Sequence, residues 1–434
     1  MRGGGGDSVR GMTEQTSVAV VGAGITGLAL AHALHLRGVP HIVLEAGQRV
    51  GGVIRSESVD GHLLEFGPQR TRLTSVIGDL VGALGLEKDV LTAPAGLPLF
   101  VYRNGKLRLV PYSPRDLFRS DIVSFGAKAR LFVEPLTGPA RAKETVASYF
   151  TRKVGRDIYE ALVGPLYGGL YASDPAEMIV GLSLGPVLRE FRIGRSLLLP
   201  LLLRKGRIDP PAACTFTDGL EMLPRALHAS NSANVRLGAS VTSISHDGGW
   251  TLRSGDTTIR AEHVVLTVPA STASDLLRPV VPNTARALAS LTYNPLAVVH
   301  LYAPESALRG LGYQVAFGEK LVTRGVTFND SLFGRRGVYT AYLGGAKAPV
   351  VSRWSDAEVA AVAIREFQAV TGVTAEVLRV TREWMPAWDR SWSAIANLTL
   401  PAGIHVAANW QARPGIPGRL AQATRLAEQL ADPR

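Results

Sequence analysis

The stretch Val18-Ala19-Val20-Val21-Gly22-Ala23-Gly24-Ile25-Thr26-Gly27 decides how this chain begins to fold. Four apolar residues in succession suit a strand buried on both faces of a parallel sheet. The glycines then fall at the spacing of a dinucleotide-binding turn. Gly22 permits the tight turn, Gly24 lets backbone approach a pyrophosphate, and Gly27 lets the next helix pack close to the sheet. Ile25 and Thr26 sit at the start of that helix, where free N–H groups and the positive dipole end suit phosphate. The helix is predicted from about Gly24 to Leu36, with Gly38 as a left-handed stop. A second strand, residues 41–44, ends in Glu45, followed by Ala46 and Arg49 and then Gly51-Gly52-Val53. Glu45 lies near the usual offset, roughly 20 residues on, of a carboxylate that accepts from ribose hydroxyls. With 46 glycines in 434 residues, such triplets arise by chance, so the reading rests on strand, glycines, helix, strand and acid in order. The Gly51-Gly52 pair points to FAD as the dinucleotide.

Composition sets the outer bounds. A chain of 434 residues, 46% hydrophobic and 19% charged, can bury an ample core and should divide into two or three subdomains. Its strongest apolar run, residues 196–203, is far short of the ~20 residues that span a bilayer. Followed by Arg204-Lys205-Gly206-Arg207, that run reads either as a buried helix interrupted by Pro200 or as a segment touching a membrane surface. Cys214 is the single cysteine, which excludes intramolecular disulfides and fits a reducing compartment. The nine histidines show no ligand spacing, so no metal is expected. A net charge of +11 favours anionic partners. No basic run interleaves with aromatics, so nucleic acid is not expected among them. Residues 1–16 are glycine-rich without an apolar h-region and are expected to be a disordered extension. A cytoplasmic protein, or one peripheral to a membrane, is expected, as a monomer or homodimer.

Beyond the first turn, residues 53–56 and 61–68 read as a strand, a turn and a second strand ended by Gly67-Pro68. Between Pro111 and Pro211 strand signals fade and residues 127–133, 146–154, 156–163 and much of 180–203 look helical. A meander follows, with strands at 235–237, 240–244, 250–253 and 257–260, then a buried strand at 263–268. Residues 297–302, 325–328 and 338–343 suggest a second sheet, with a helix at 356–370. Residues 403–409 lead as a strand into a loop, 413–418 form a tight turn, and 419–430 close the chain as a helix. Trp384, Trp388 and Trp392 recur every four residues, but Pro386 argues against a continuous helix there.

From about residue 17 to 430 the chain resembles the FAD-dependent protoporphyrinogen oxidase branch of the flavin amine oxidase superfamily. Gly22–Gly27 with Glu45 and Arg49-Val50-Gly51-Gly52-Val53-Ile54-Arg55 is similar to the family's FAD entry stretch. Leu64-Glu65-Phe66-Gly67-Pro68-Gln69-Arg70-Thr71-Arg72 resembles its acid-aromatic-Gly-Pro stretch on the substrate side. Residues 144–150 and 164–175 resemble its helical-domain text, and Ala408-Asn409-Trp410 through Gly415-Ile416-Pro417 its C-terminal flavin loop. Ala408 stands where a glycine is common and Trp410 where a small residue is usual.

The resemblance implies an α/β fold: an FAD-binding Rossmann-like domain (17–75, 212–272 and 402–434), a mixed-sheet substrate domain (76–112 and 273–401) and a helical, membrane-associating insertion (113–211). It implies that Glu45 holds the adenosine ribose and that Arg49 adds positive charge to the phosphates. Gly51, Gly52 and Val53 would pass close to the ribityl chain, and the backbone of Val241 would meet adenine. Gly67, Pro68, Asn409, Gly415, Ile416 and Pro417 would border the flavin, the last three opening a helix that favours its reduced form. Arg72, with Arg70 as its neighbouring alternative, would grip a substrate carboxylate. Phe333 would wall a substrate ring.

The implied reaction passes hydride equivalents from protoporphyrinogen IX to flavin N5 until the macrocycle is aromatic, with O2 reoxidising the flavin to give hydrogen peroxide. The flavin carries this chemistry, so no side chain is assigned a catalytic role. Coproporphyrinogen III, in which carboxylates replace vinyl groups, is the alternative substrate. An amine oxidase or carotenoid desaturase, or a non-catalytic binding protein such as the Rab GDP-dissociation inhibitors, are the other readings of the same scaffold.

Overall fold

The computed structural model describes residues 12–190, 192–199, 211–411 and 415–432. The first apolar run builds the centre of a seven-stranded sheet. Its strand, Thr13–Val21, lies between His41–Leu44 and Thr257–Leu266, parallel to both. Val235–Arg236 extends one side, Trp250–Ser254 and Ser243–His246 the other, and Ile404–Val406 also pairs with Thr257–Leu266. Alternation along the run explains why all four residues are apolar. Val18 and Val20 face a core closed by the helices Ile25–His35 and Ile416–Ala431, while Ala19 and Val21 face a second core containing Leu252, Leu266 and Trp410.

Two expectations are corrected here. The first strand starts at Thr13, inside the expected extension, because Thr257–Leu266 offers ladder partners that far, with Thr13 opposite Thr258. The rest of that extension, residues 1–11, lies outside the described residues. The strands expected at 257–260 and 263–268 are one strand, Thr257–Leu266. Near Arg260 and Glu262 alternate residues are exposed; from Val264 onward burial is continuous, as the strand enters the sheet centre.

The second sheet also has seven strands, ordered Glu376–Pro386, Tyr293–Tyr302, Val338–Gly344, Thr323–Phe328, Gly312–Val315, Leu99–Arg103 and Lys106–Leu109. One face, with Val299, Leu301, Ala341 and Leu343, packs on the helix Asp356–Thr371. That helix is opened by a Ser355–Glu358 capping box and stopped by Gly372 at φ +74°. The opposite face presents Leu296, Val298, Tyr342 and Met385. The three tryptophans share no continuous helix, as Pro386 argued: Trp384 is on the strand Glu376–Pro386, and Trp388 stacks on Trp392 with ring centres 4.5 Å apart.

Between the sheets' segments lies a helical insertion including Val146–Val154 and Gly164–Tyr171, the latter entered through a π-helical turn, Tyr159–Val163. Fully buried Lys153 and Glu134 pair at 3.1 Å, and Glu134 also accepts from the Leu197 amide. Pro200 and residues 204–207 of the expected membrane-surface segment lie outside the described residues.

Candidate functional site

Sterics explain the glycine turn residue by residue. Gly22 sits at φ +104°, and a Cβ on Gly27 would come 2.0 Å from the Gly22 carbonyl oxygen, so the helix can approach only as glycine. Gly24 is different. Its φ of −70° suits any residue, and a Cβ there would meet no protein atom within 4 Å. The protein does not need Gly24 to be glycine; the open space above it is where a phosphate can touch backbone.

The Gly-Gly loop is laid on this turn. The Gly51 amide donates to the Ala23 carbonyl at 2.8 Å, and a Cβ on Gly52 would lie 3.2 Å from the Gly24 Cα. Arg49 donates to the carbonyls of Val50, Gly52 and Ile54, so its guanidinium staples this loop from the side. Gly67 stacks in turn beneath it, since a Cβ there would fall 1.9 Å from the Val53 carbonyl oxygen. Glu45 accepts from the amides of Ala23 (2.7 Å) and Gly47 (2.8 Å), which points the carboxylate at the mouth of the turn with lone pairs left for hydroxyl donors. The Glu45 carbonyl takes the Ala239 amide at 2.8 Å, bringing the Val241 segment alongside. Ala46 and Val53 are exposed.

At the C-terminal end, Asn409 is exposed, Gly415 has φ +107°, and Ile416 and Pro417 open the last helix. Residues 412–414, which include Arg413 and Pro414 of the expected tight turn, lie outside the described residues. Buried Arg419 on that helix donates to the Ala408 carbonyl, and burial draws its pKa down to about 10. Trp410 is fully buried, and its Nε1 donates to the Val268 carbonyl at 3.1 Å. It is a core residue and forms no aromatic cage. Free amides at a helix start, an aimed carboxylate and an open glycine surface make a donor set that fits a dinucleotide.

The Gly67-Pro68 turn leads to the second sheet. The Gln69 amide donates to the carbonyls of Glu65 and Gly67 and accepts from Thr340 and Asn329. Arg70 follows, crowded by protein and only partly open to solvent, beside the Tyr342 hydroxyl; burial lowers its pKa. Tyr342 Oη lies 3.5 Å from Thr327 Oγ1 on the neighbouring strand, and burial raises its pKa against the pull of Thr327 and Arg70. Arg72 is exposed and donates to the Pro211 carbonyl at 3.1 Å. Across the sheet, Glu383 is pushed up by burial, opposed by the charge of Arg49.

Phe333 is half-buried, with its ring centre 5.9 Å from the Arg335 guanidinium carbon. Arg335 in turn pairs with Glu65 at 2.8 Å, both buried, and Glu65 also takes Ser56 Oγ and the Leu220 amide. Beside them, His300 is wholly buried, donates from Nε2 to the Glu65 carbonyl at 2.9 Å, and is held near a pKa of about 4 by burial. Sequence reasoning missed Tyr342, Thr327 and Arg335. Only the strand pattern around 338–343 hinted at the first; nothing local tied Arg335 to a residue 270 positions earlier. A separate open groove of about 590 Å³, walled by Arg152, Tyr159, Phe317 and Lys347, contains none of these groups.

Comparison with known proteins bears on this geometry. The profile of the family described as "Flavin containing amine oxidoreductase" matches residues 25–414. The chain is similar to "Protoporphyrinogen oxidase 1, chloroplastic" of Arabidopsis thaliana, 30% identical over 413 residues, covering 85% of this chain and 76% of that one. It is similar to "Protoporphyrinogen oxidase" of Homo sapiens, 30% identical over 351 residues and covering 73% of each. A crystal structure from Exiguobacterium sp. 255-15 shares the fold with a TM-score of 0.80 at 21% identity, over 96% of this chain and 98% of that one.

Proposed function

The chain belongs to the flavin containing amine oxidoreductase family, and on that premise we propose that this FAD-dependent oxidase converts protoporphyrinogen IX to protoporphyrin IX. Bound FAD would accept hydride equivalents from the substrate and pass electrons to oxygen. The chain's own part is to bind and orient. Glu45 would hold the ribose, the Gly24 surface and the amides after it the pyrophosphate, and the Val241 segment the adenine. Arg49 would act indirectly, by fixing the loop of Gly51 and Gly52. Gly67 and Pro68, with Asn409, Gly415, Ile416 and Pro417, would border the flavin ring. Residues 17–75, 212–272 and 402–434 would form the cofactor part and 76–112 and 273–401 the substrate part, because the strands of the two sheets divide along those lines.

One observation carries the substrate reading. The sheet face of Leu296, Val298, Tyr342 and Met385 is apolar, with Ala172 of the helical insertion packed on part of it, and Arg70 lies beside Tyr342. A flat hydrophobic ring system with acid groups on its rim matches that wall. The relatives' names agree with it. An amine substrate would want an aromatic cage, and Trp410 is spent in the core. Aerobic incubation with protoporphyrinogen IX should produce porphyrin fluorescence well above the spontaneous rate. Fluorescence no faster than without protein overturns the proposal.

We further propose peripheral contact with a lipid surface through the helical insertion. Phe125, Phe132 and Leu136 are 83%, 76% and 82% exposed, with Phe118 packed on Phe132 and exposed Arg119 and Arg130 nearby. Among the described residues no helix is long and apolar enough to cross a membrane. Cosedimentation with anionic phosphatidylglycerol vesicles should fall when Phe125 and Phe132 are both replaced by serine. Unchanged cosedimentation overturns this contact.

A further inference from the structure

Glu383 is a carboxylate on the apolar wall that the fold leaves unused. The strand Glu376–Pro386 sets it opposite Leu296, which in turn lies opposite Gly344. Residues opposite one another in a sheet share a face, as do residues two apart on one strand. Glu383 therefore stands on the face of Leu296, Val298, Tyr342 and Met385, half-buried on the edge strand of that sheet. The charge it feels is that of Arg49, which staples the Gly51-Gly52 loop, so this carboxylate marks where the wall meets the cofactor loop. Among the described residues it has neither an ion-pair nor a hydrogen-bond partner. The adjoining strand brings it only Asn294 and Leu296, without charge; Glu65 is taken by Arg335, and Arg70 stands beside Tyr342, two strands away. Burial pushes the Glu383 pKa up against the pull of Arg49, so it holds a proton more firmly than an exposed glutamate. An unpaired carboxyl tuned in this way, at the seam of two binding surfaces, is suited to proton transfer.

Porphyrinogen oxidation releases protons as well as hydride. Each two-electron step takes a hydride from a meso carbon and a proton from elsewhere on the ring, a pyrrole N–H in the first instance. The N–H bonding pair stays behind and becomes a new π bond of the macrocycle. In a pocket that excludes water, that proton needs an acceptor on the protein. We propose that Glu383 is the general base of this reaction, taking the ring proton on its carboxylate as the hydride departs to the bound flavin. This rests on the porphyrinogen reading above. The carboxylate becomes a carboxylic acid, gains no electrons, and gives the proton to solvent before the next step. Arg49 favours the ionised form that must start each step, and burial makes that form the stronger base.

Turnover of protoporphyrinogen IX by the FAD-loaded protein, followed by porphyrin fluorescence against pH, tests this. Wild-type kcat/KM should fall as pH drops through the range in which Glu383 takes up its proton. Glu383→Gln should lower kcat by about 100-fold, leave KM within about threefold, and lose that acid limb. Glu383→Asp should keep the limb and recover part of the rate. A second readout needs no turnover. Infrared difference titration of the substrate-free, FAD-loaded protein should show a carboxyl band with a midpoint above the ordinary glutamate range, missing from Glu383→Gln. Flavin absorbance and Tm report whether each variant is folded; if Glu383→Gln is not, Glu383→Asp must still lower kcat and move the acid limb. Unchanged kcat in a folded variant, a loss confined to KM, or an infrared titration that the substitution leaves alone overturns the base and leaves the porphyrinogen reading intact. A wild type that oxidises no porphyrinogen overturns both.

Discussion

Around Gly27 the backbone leaves no room for a methyl group, whereas around Arg70 it leaves a charged side chain without a partner. The first region is built by exclusion: Gly27, Gly67 and Gly51 each abut a carbonyl oxygen, and the shape follows from what cannot fit. The second is built by assembly, from Gln69, Thr327, Thr340 and Tyr342 on segments more than 250 residues apart. A site made by exclusion is complete before its ligand arrives. A site made by assembly can hold an unmet charge in readiness for one.

The largest expected effect separates two glycines three positions apart. Gly27→Ala puts a methyl 2.0 Å from the Gly22 oxygen and should cost more than about 4 kcal/mol, abolishing both fold and flavin. Gly24→Ala meets no protein atom within 4 Å, so the flavin-free protein should keep its stability to within about 1 kcal/mol while flavin retention collapses. Denaturant unfolding and flavin absorbance of the two variants decide the matter; equal behaviour would erase the distinction between a packing glycine and a ligand glycine.

Next in size is a contrast between arginines. Arg335→Met strands Glu65 in the interior and should destabilise by about 3–5 kcal/mol. Arg70→Met removes a cation that nothing opposes, and should leave ligand-free stability unchanged or raise it. A loss at position 70 as large as that at 335 would mean that the wall holds no charge in reserve.

The wall also carries a titration that the turn glycines cannot. His300 has a folded pKa of about 4 against an ordinary 6.5, so the unfolded chain binds its proton first. Its contribution is complete above pH 6.5 and is lost as pH falls from there to about 4, some ~3 kcal/mol in all. His300→Gln should flatten stability against pH within that window. A profile identical to the wild type's would show that His300 is not the titrating group. The smallest effect belongs to Trp410→Phe, which gives up one hydrogen bond to Val268 and should cost about 1 kcal/mol with flavin content unchanged. Loss of flavin there would move Trp410 from the core to the cofactor's edge.

The readings that stood on local constraint held. Ile25–His35 runs close to its expected span and stops at left-handed Gly38, and Asp356–Thr371 ends within one residue of its expected terminus. Errors fell where partners decide. Thr13 became strand because Thr258 was there to pair with it, and two short strands fused because one neighbour spans both. Tyr342, on a strand whose apolar pattern was plain, is the aromatic group that the fold sets beside Arg70, a proximity no local pattern announced.

By itself the sequence determined the dinucleotide turn, the two-sheet α/β plan and the kind of chemistry, because steric limits on φ and on Cβ act within a few residues and leave their mark in residue type and spacing. Only the tertiary structure decided which arginine lies half-buried beside Tyr342, which carboxylate Arg335 satisfies, and that Trp410 belongs to the core. Those outcomes depend on which distant groups share a low-dielectric space, and charge and burial are properties of that shared space rather than of any one stretch of chain.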